Sequence, residues 1–335
     1  MLIKFHDITP YKPFFYRSCY YNSLFPILNH FNKDIISVMT NDTIHYKEAE
    51  DSSLLPNIEY ESSHSLKTVL YNIGIEMDEL IEDEKNLTRA IHEKIEAGYL
   101  IIVWVDCYYL SIRADTYHKF HNPHTILIYG IDTEKQLYYA IEHREIESLK
   151  YERKLIPFSD IIDGYKSFNE TYKTEFFNVK PFHFYKLNEE SSYHQNINEI
   201  ALDYHNKLLK NIQTSENKAA IIQSHLGTIN TYLKNQRVLD EKLDDIFTSM
   251  NDIINAKKAE LYKSEYLFPN EMSTALNDII KLWVDLRIPF ARYKYSLQYK
   301  SDDFLILSEI YKSIIDVEIA WSYAIKNLDL ISTKI

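Results

Sequence analysis

Glycine is the scarcest of the common small residues here, with five in 335 positions. Phosphate-cradling loops and dinucleotide-binding turns need clustered glycines, so both classes are set aside. Cysteine occurs twice, as Cys19 and Cys107, which makes no disulfide framework. No run of 18 apolar residues is present, so no membrane span is expected. The opening Met1-Leu2-Ile3-Lys4-Phe5-His6-Asp7 is too short in its apolar part for a signal peptide, and the chain reads as cytoplasmic. Positive charge is in deficit, 37 Lys and Arg against 49 Asp and Glu. The net −12 argues against a grip on DNA or RNA phosphates.

What remains is ordinary globular material, long enough for one large domain or two. Leu2-Ile3-Lys4-Phe5 suits a short edge strand. From Cys19 to Phe31, Leu24, Phe25, Ile27, Leu28 and Phe31 recur at helical spacing. Pro26 then requires the helix to begin near Ser23 or to bend there. Ile35 to Met39 suits a strand, and the rest of 33–65 is polar. Residues 66–98 read as two helices stopped at Gly74 and Gly98.

Leu100-Ile101-Ile102-Val103-Trp104-Val105-Asp106 is a continuous apolar run, as a buried central strand should be. Strands over 125–131 and 137–141 flank Asp132-Thr133-Glu134-Lys135-Gln136 as a hairpin. A short helix over 151–167 follows, then strands near 176–179 and 182–185. After about residue 190 the pattern turns helical, at Ile197 to Ile212, Leu243 to Ile253, Leu276 to Trp283 and Leu307 to Trp321. Breaks are expected at Gly227, Pro269, Pro289 and Ser301-Asp302-Asp303. The expected fold class is α+β: a domain over 1–190 with an antiparallel sheet, then an all-α helical domain over 191–335.

Cys19 opens an apolar helix, where the positive end of the helix dipole favours a thiolate, and Arg17 stands close by. His124 opens an apolar strand after Pro123. That layout is the layout of a papain-like thiol site, which needs a third group to orient its imidazole. A hairpin turning near residue 134 sets position 124 opposite 144, so Glu142 is the near neighbour. Asp132 would lie about 25 Å along the strand. His143 is expected on the opposite face. Plainer readings stand beside these. A buried cysteine packs as a small hydrophobe, Cys107 closes a strand, and His124 belongs to a segment that also carries His118 and His121. Those three histidines match no zinc spacing, so no metal is expected.

Arg17-Ser18-Cys19, Val105-Asp106-Cys107-Tyr108-Tyr109-Leu110 and His124-Thr125-Ile126-Leu127-Ile128-Tyr129-Gly130-Ile131-Asp132 together resemble the N-terminal domain of the butirosin-biosynthesis acyltransferase family. That family is papain-like in fold and related to the bacteriocin-processing cysteine peptidases. It moves an acyl group from a carrier-protein thioester to an amine through a cysteine. The resemblance covers about residues 11–145. It implies Cys19 as nucleophile, His124 as base and Glu142 as orienting acid, with Asp106 and Tyr109 in a segment that borders the substrate. Three departures stand out. The last acid is Glu rather than Asp, Gly130-Ile131-Asp132 replaces Gly-Tyr-Asp, and no glutamine precedes Cys19 as an oxyanion donor. Backbone N–H groups at Cys19 and Tyr20, or the Asn22 amide, would serve instead.

The function expected is a thiol acyltransferase of specialised-metabolite, antibiotic-type biosynthesis. It takes its acyl group from an acyl carrier protein or pantetheine thioester and passes it to an amine-bearing acceptor, with no cofactor. An acidic carrier would need a basic landing patch, for which Arg144, Lys150, Arg153 and Lys154 are the densest candidates. The alternatives are a cysteine hydrolase or peptide-processing enzyme, and a catalytically inactive papain-like scaffold. A homodimer would form through the helical domain.

Overall fold

The computed structural model describes residues 2–51, 54–80, 86–143, 145, 150–172, 180–188, 196–211 and 213–328. In chain order the elements are β1 (Leu2–Lys4), α1 (Cys19–His30), α2 (Ile36–Met39), β2 (Asp42–Lys47), β3 (Asn57–Ser62), α3 (Leu66–Asn72) and β4 (Ile75–Leu80). Then come α4 (Leu87–Glu96), β5 (Leu100–Asp106), β6 (Pro123–Asp132), β7 (Leu137–His143), β8 (Tyr151–Pro157), α5 (Phe158–Tyr172) and β9 (Phe182–Leu187). The last five are α6 (Ile197–Asn211), α7 (Ser215–Leu233), α8 (Gln236–Leu267), α9 (Glu271–Ser296) and α10 (Leu307–Lys326). An antiparallel sheet followed by a helical region makes the chain α+β.

Two compact units divide it: residues 1–35 with 65–194, and residues 36–64 with 195–335. The sequence pattern places 36–64 in the first domain. In the structure this segment joins the helices, because Ile36 and Tyr46 are buried in the helical core and Ile58 packs against it.

In the first unit the sheet runs β4-β9-β5-β6-β7-β8, with β1 also on β6 and all pairs antiparallel. Ile101, Val103, Val105, Ile126 and Ile128 are fully buried with Leu87 and Ile91 of α4 and Ile161 and Tyr165 of α5. Alternate residues face α1, where Tyr20 stacks on Trp104 at 6.4 Å and the Ser23 hydroxyl lies 3.2 Å from that of Thr125. Gly130 lets β1 come close: a Cβ there would sit 3.0 Å from the Ile3 carbonyl oxygen and from Lys4 Cβ.

The second unit carries charge in its core. Glu318 accepts from the Tyr46 hydroxyl at 2.7 Å and pairs with Lys257 at 2.8 Å and Lys218 at 3.3 Å. Burial raises its carboxyl, yet the two ammonium groups outweigh that and hold it down to about 2. The hairpin of β2 and β3 is anchored to α8, with Lys263 donating to the Asp42 carbonyl at 3.0 Å and Ser249 to that of Pro56 at 2.8 Å.

Several local expectations change. Ile36–Met39 is a turn of helix rather than a strand, since an apolar run this short has no decisive period. The polar stretch after it forms the β2–β3 hairpin. β4 occupies part of the expected helical span 66–98. Residues 151–157 are the edge strand β8, and the helix begins only at Phe158. Charged side chains on the open face of an edge strand hide its period. α1 starts at Cys19 with Pro26 inside it, while Gly227 and Pro289 lie within α7 and α9. The expectations for 176–179 and Ile212 fall outside the described residues.

Two stability outcomes follow from these contacts. Gly130→Ala forces Ile3 and Lys4 away from β6 and should cost about 1–3 kcal/mol in a denaturant melt. Glu318→Ala leaves Lys257 and Lys218 without their shared carboxylate and should cost on the order of 3–5 kcal/mol.

Candidate active site

The chain makes a tight turn just ahead of α1. Arg17 has φ +56° and the Ser18 N–H donates to the Tyr16 carbonyl at 2.5 Å. Ser18 is extended, and Cys19 is the first helical residue. The Arg17 guanidinium lies over the Tyr21 ring at 5.3 Å. The Asn22 amide ties this turn to the helix: it donates to the Phe14 carbonyl and accepts from the Tyr16 N–H, both at 3.0 Å. Both ends of the amide that sequence reasoning offered as an oxyanion donor are therefore engaged by backbone.

Cys19 is partly exposed, and Thr125 is its hydrogen-bonding neighbour. Burial pushes the thiol above its ordinary value, against the pull of those Thr125 contacts. His124 precedes Thr125 on β6, and the pleat turns successive residues to opposite sides. Contact with Thr125 does not by itself bring the sulfur to the His124 ring. Among the described residues no hydrogen bond joins the Cys19 sulfur to the His124 ring.

His124 and Glu142 are brought together. Their Nε2 and Oε1 atoms are 3.4 Å apart, close but not aligned as a hydrogen bond. The same Oε1 accepts from Arg113 Nη1 at 2.7 Å, and Glu142 Oε2 has no partner among the described residues. Arg113 is fully buried and forks onto Asp115, Nε to Oδ1 at 2.9 Å and Nη2 to Oδ2 at 2.8 Å. One guanidinium thus serves two carboxylates. Burial pushes the Glu142 carboxyl up to about 8, with Arg113 opposing but already claimed by Asp115. Burial also holds His124 uncharged, well below its ordinary value, with His143 and Arg113 adding to the effect.

Arg113 and His143 were not in the sequence reading of the site. Nothing in its local sequence marks Arg113, apart from an acid two residues on. His143 is expected on the opposite face, and its ring stacks on that of His124 at 4.8 Å. His124 pairs with Val105 and His143 with Tyr151, so both backbones keep the strand alternation and the contact between the rings is made by the side chains. Tyr151 completes the group, 4.3 Å from the His143 ring.

Asp106 is a clasp for the loop that follows β5. Its Oδ1 accepts from the N–H groups of Tyr108 and Asn122, and its Oδ2 from the Ser167 hydroxyl at 2.8 Å and the His121 ring at 2.5 Å. Tyr108 is stacked between His118 and His121, with the edge of Tyr109 against it. Among the described residues no three His, Cys, Asp or Glu side chains gather as a metal would require, and no helix is long and apolar enough to cross a membrane. The basic patch is divided. Arg153 spends Nε and Nη2 on the Ile8 carbonyl, Lys154 pairs with Glu152 at 3.0 Å, and Arg144 lies outside the described residues.

These groups set two limbs of a pH profile with opposite signs. Burial lowers His143 from its ordinary 6.5 to about 4, so the stability tied to its neutral form is lost as pH falls through that window. Glu142 rises from 4.5 to about 8, so its contribution is full at the acid end and is lost as pH rises through that window. Urea midpoints measured from pH 4 to 8 should show His143→Gln flattening the acid limb and Glu142→Gln the alkaline one.

No curated protein matches the chain. One family model does match it, over a segment that begins after Cys19 and takes in Asp106, Arg113, His124 and Glu142. Residues 42–143 match the model described as Butirosin biosynthesis protein H, N-terminal, and by that match this segment is similar to the N-terminal region of that family.

Proposed function

We propose that the protein is a thiol acyltransferase of specialised-metabolite biosynthesis, with Cys19 as nucleophile, His124 as general base and Glu142 as the group that orients His124. The observation that carries this reading is the approach of His124 Nε2 to Glu142 Oε1 at 3.4 Å, on the strand whose next residue, Thr125, neighbours Cys19. With Nε2 turned to the carboxyl, Nδ1 is the ring atom left to accept a proton. The resting pair is a thiol and a neutral imidazole rather than an ion pair. The imidazole then takes the proton as sulfur attacks, in the manner of a general base. Moving an acyl group from one sulfur to another is nearly isoenergetic, and amide formation runs downhill, so the sequence of steps needs no energy-rich nucleotide. The divided basic patch favours a donor of pantetheine size over one that docks through a charged carrier surface.

One observation favours a second reading, a papain-like core without catalysis. No hydrogen bond among the described residues joins Cys19 to His124, and Arg113 already holds Glu142 Oε1. Incubation with acetyl-pantetheine followed by intact mass separates the two. The acyltransferase gives a single acetyl adduct that is absent from Cys19→Ala, and His124→Ala slows its formation by about 10²–10⁴. A wild-type protein that stays unmodified by both acetyl-pantetheine and an activated acetyl ester is a silent core.

A further inference from the structure

Attack on a thioester places negative charge on the acyl oxygen, and donors aimed at that oxygen are the largest single contribution in such sites. No glutamine precedes Cys19, and both ends of the Asn22 amide are held by backbone. The start of α1 supplies backbone N–H groups, but no side-chain donor has yet been assigned.

Tyr151 opens β8, is fully buried, and its hydroxyl has no hydrogen-bond partner among the described residues. Register puts it on the Cys19 side of the sheet. Tyr151 pairs with His143 across β7 and β8. The Leu127–Ile141 pairing, continued by two residues, sets Thr125 opposite His143. Thr125 faces α1, where the Ser23 hydroxyl lies 3.2 Å from its own and Cys19 is its neighbour, so Thr125, His143 and Tyr151 form one row on that face. Three more buried polar atoms in this group lack partners: His124 Nε2, His143 Nε2 and Glu142 Oε2. The His124 and His143 rings lie 6.5 Å and 4.3 Å from that of Tyr151. Buried polar groups are almost always paired, so several unpaired ones in one place point to a polar group that arrives from outside.

We propose that Tyr151 donates its hydroxyl hydrogen to the acyl oxygen during transfer to Cys19, which rests on the acyltransferase reading above. Cys19 sulfur bonds to the carbonyl carbon while its proton passes to His124. The carbonyl π pair moves to oxygen, where the Tyr151 O–H meets it. Collapse restores the carbonyl and breaks the bond to the pantetheine sulfur, which leaves with the proton from His124. Burial pushes the phenol well above its ordinary value, and a charge on Cys19 would add to this, so Tyr151 keeps its hydrogen across the working pH range. The phenol ring is shielded from water, and a hydrogen bond in such surroundings counts for more than one in solvent.

Tyr151→Phe keeps the ring stack and removes a hydroxyl with no hydrogen-bond partner among the described residues, so melting temperature serves as the control for integrity. Two rates are measured by intact mass on the whole protein: acetylation by acetyl-pantetheine and by p-nitrophenyl acetate, and alkylation by iodoacetamide. Alkylation at saturated carbon makes no oxyanion. The expected result is acetylation slowed by about 10²-fold with alkylation unchanged. Acetylation unchanged in the variant overturns the assignment of Tyr151 alone. Equal losses in both reactions also overturn it, since Tyr151 would then act on the thiol or the fold. A wild type that is alkylated at Cys19 yet acetylated by neither donor overturns the acyltransferase reading and the role of Tyr151 with it.

Discussion

Strand β6 has neighbours on both edges, and its register is the constraint on which the candidate site depends. On one side β5 pairs Asp106 with Pro123 and Val105 with His124. On the other β7 pairs Ile141 with Leu127 and so brings Glu142 level with the start of β6. A slip of one residue would exchange His124 for Thr125 and turn the imidazole to the other face. The apolar residues of β6, buried on both faces, resist such a slip more firmly than any polar contact at the site could.

Both units bury charge, and both make one ionised group serve more than one partner. Around Arg113 one cation meets two carboxyls, and the less favoured of them, Glu142, is pushed towards its protonated form. Around Glu318 the carboxylate meets two ammonium groups, one of them shared with Glu260 at 2.8 Å, and stays ionised. Uneven sharing is how a folded chain holds a proton on one acid and keeps it off another at one pH.

The sequence carried the large features because they rest on period and length. β5 stood out as an apolar run, β6 and β7 as a hairpin, and the long helices by their apolar stripes. Features that depend on partners were not legible. β8 reads as helix until its charged residues are seen on an exposed edge, and residues 40–64 read as a polar part of the first domain until Tyr46 meets Trp283 and Glu318. At the site, Cys19, His124 and Glu142 follow from spacing and family resemblance. Arg113 does not, because its partner Glu142 is 29 residues away and irregular chain has no period to mark it. The alternation places His143 on the face opposite Glu142, and its ring contact with His124 depends on side-chain reach that no period encodes.

The division of the chain also bears on how it folds during synthesis. Residues 36–64 leave the ribosome early but belong to a core that closes only with α10, whose Glu318 accepts from Tyr46. Cys19 and its sheet can assemble as soon as β9 has emerged, long before that. From the end of β9 until α10 is made, then, the hairpin is an excursion between two parts of a unit whose own segments are all present. A nascent chain of this kind is open to chaperone capture at one internal segment rather than at its growing end.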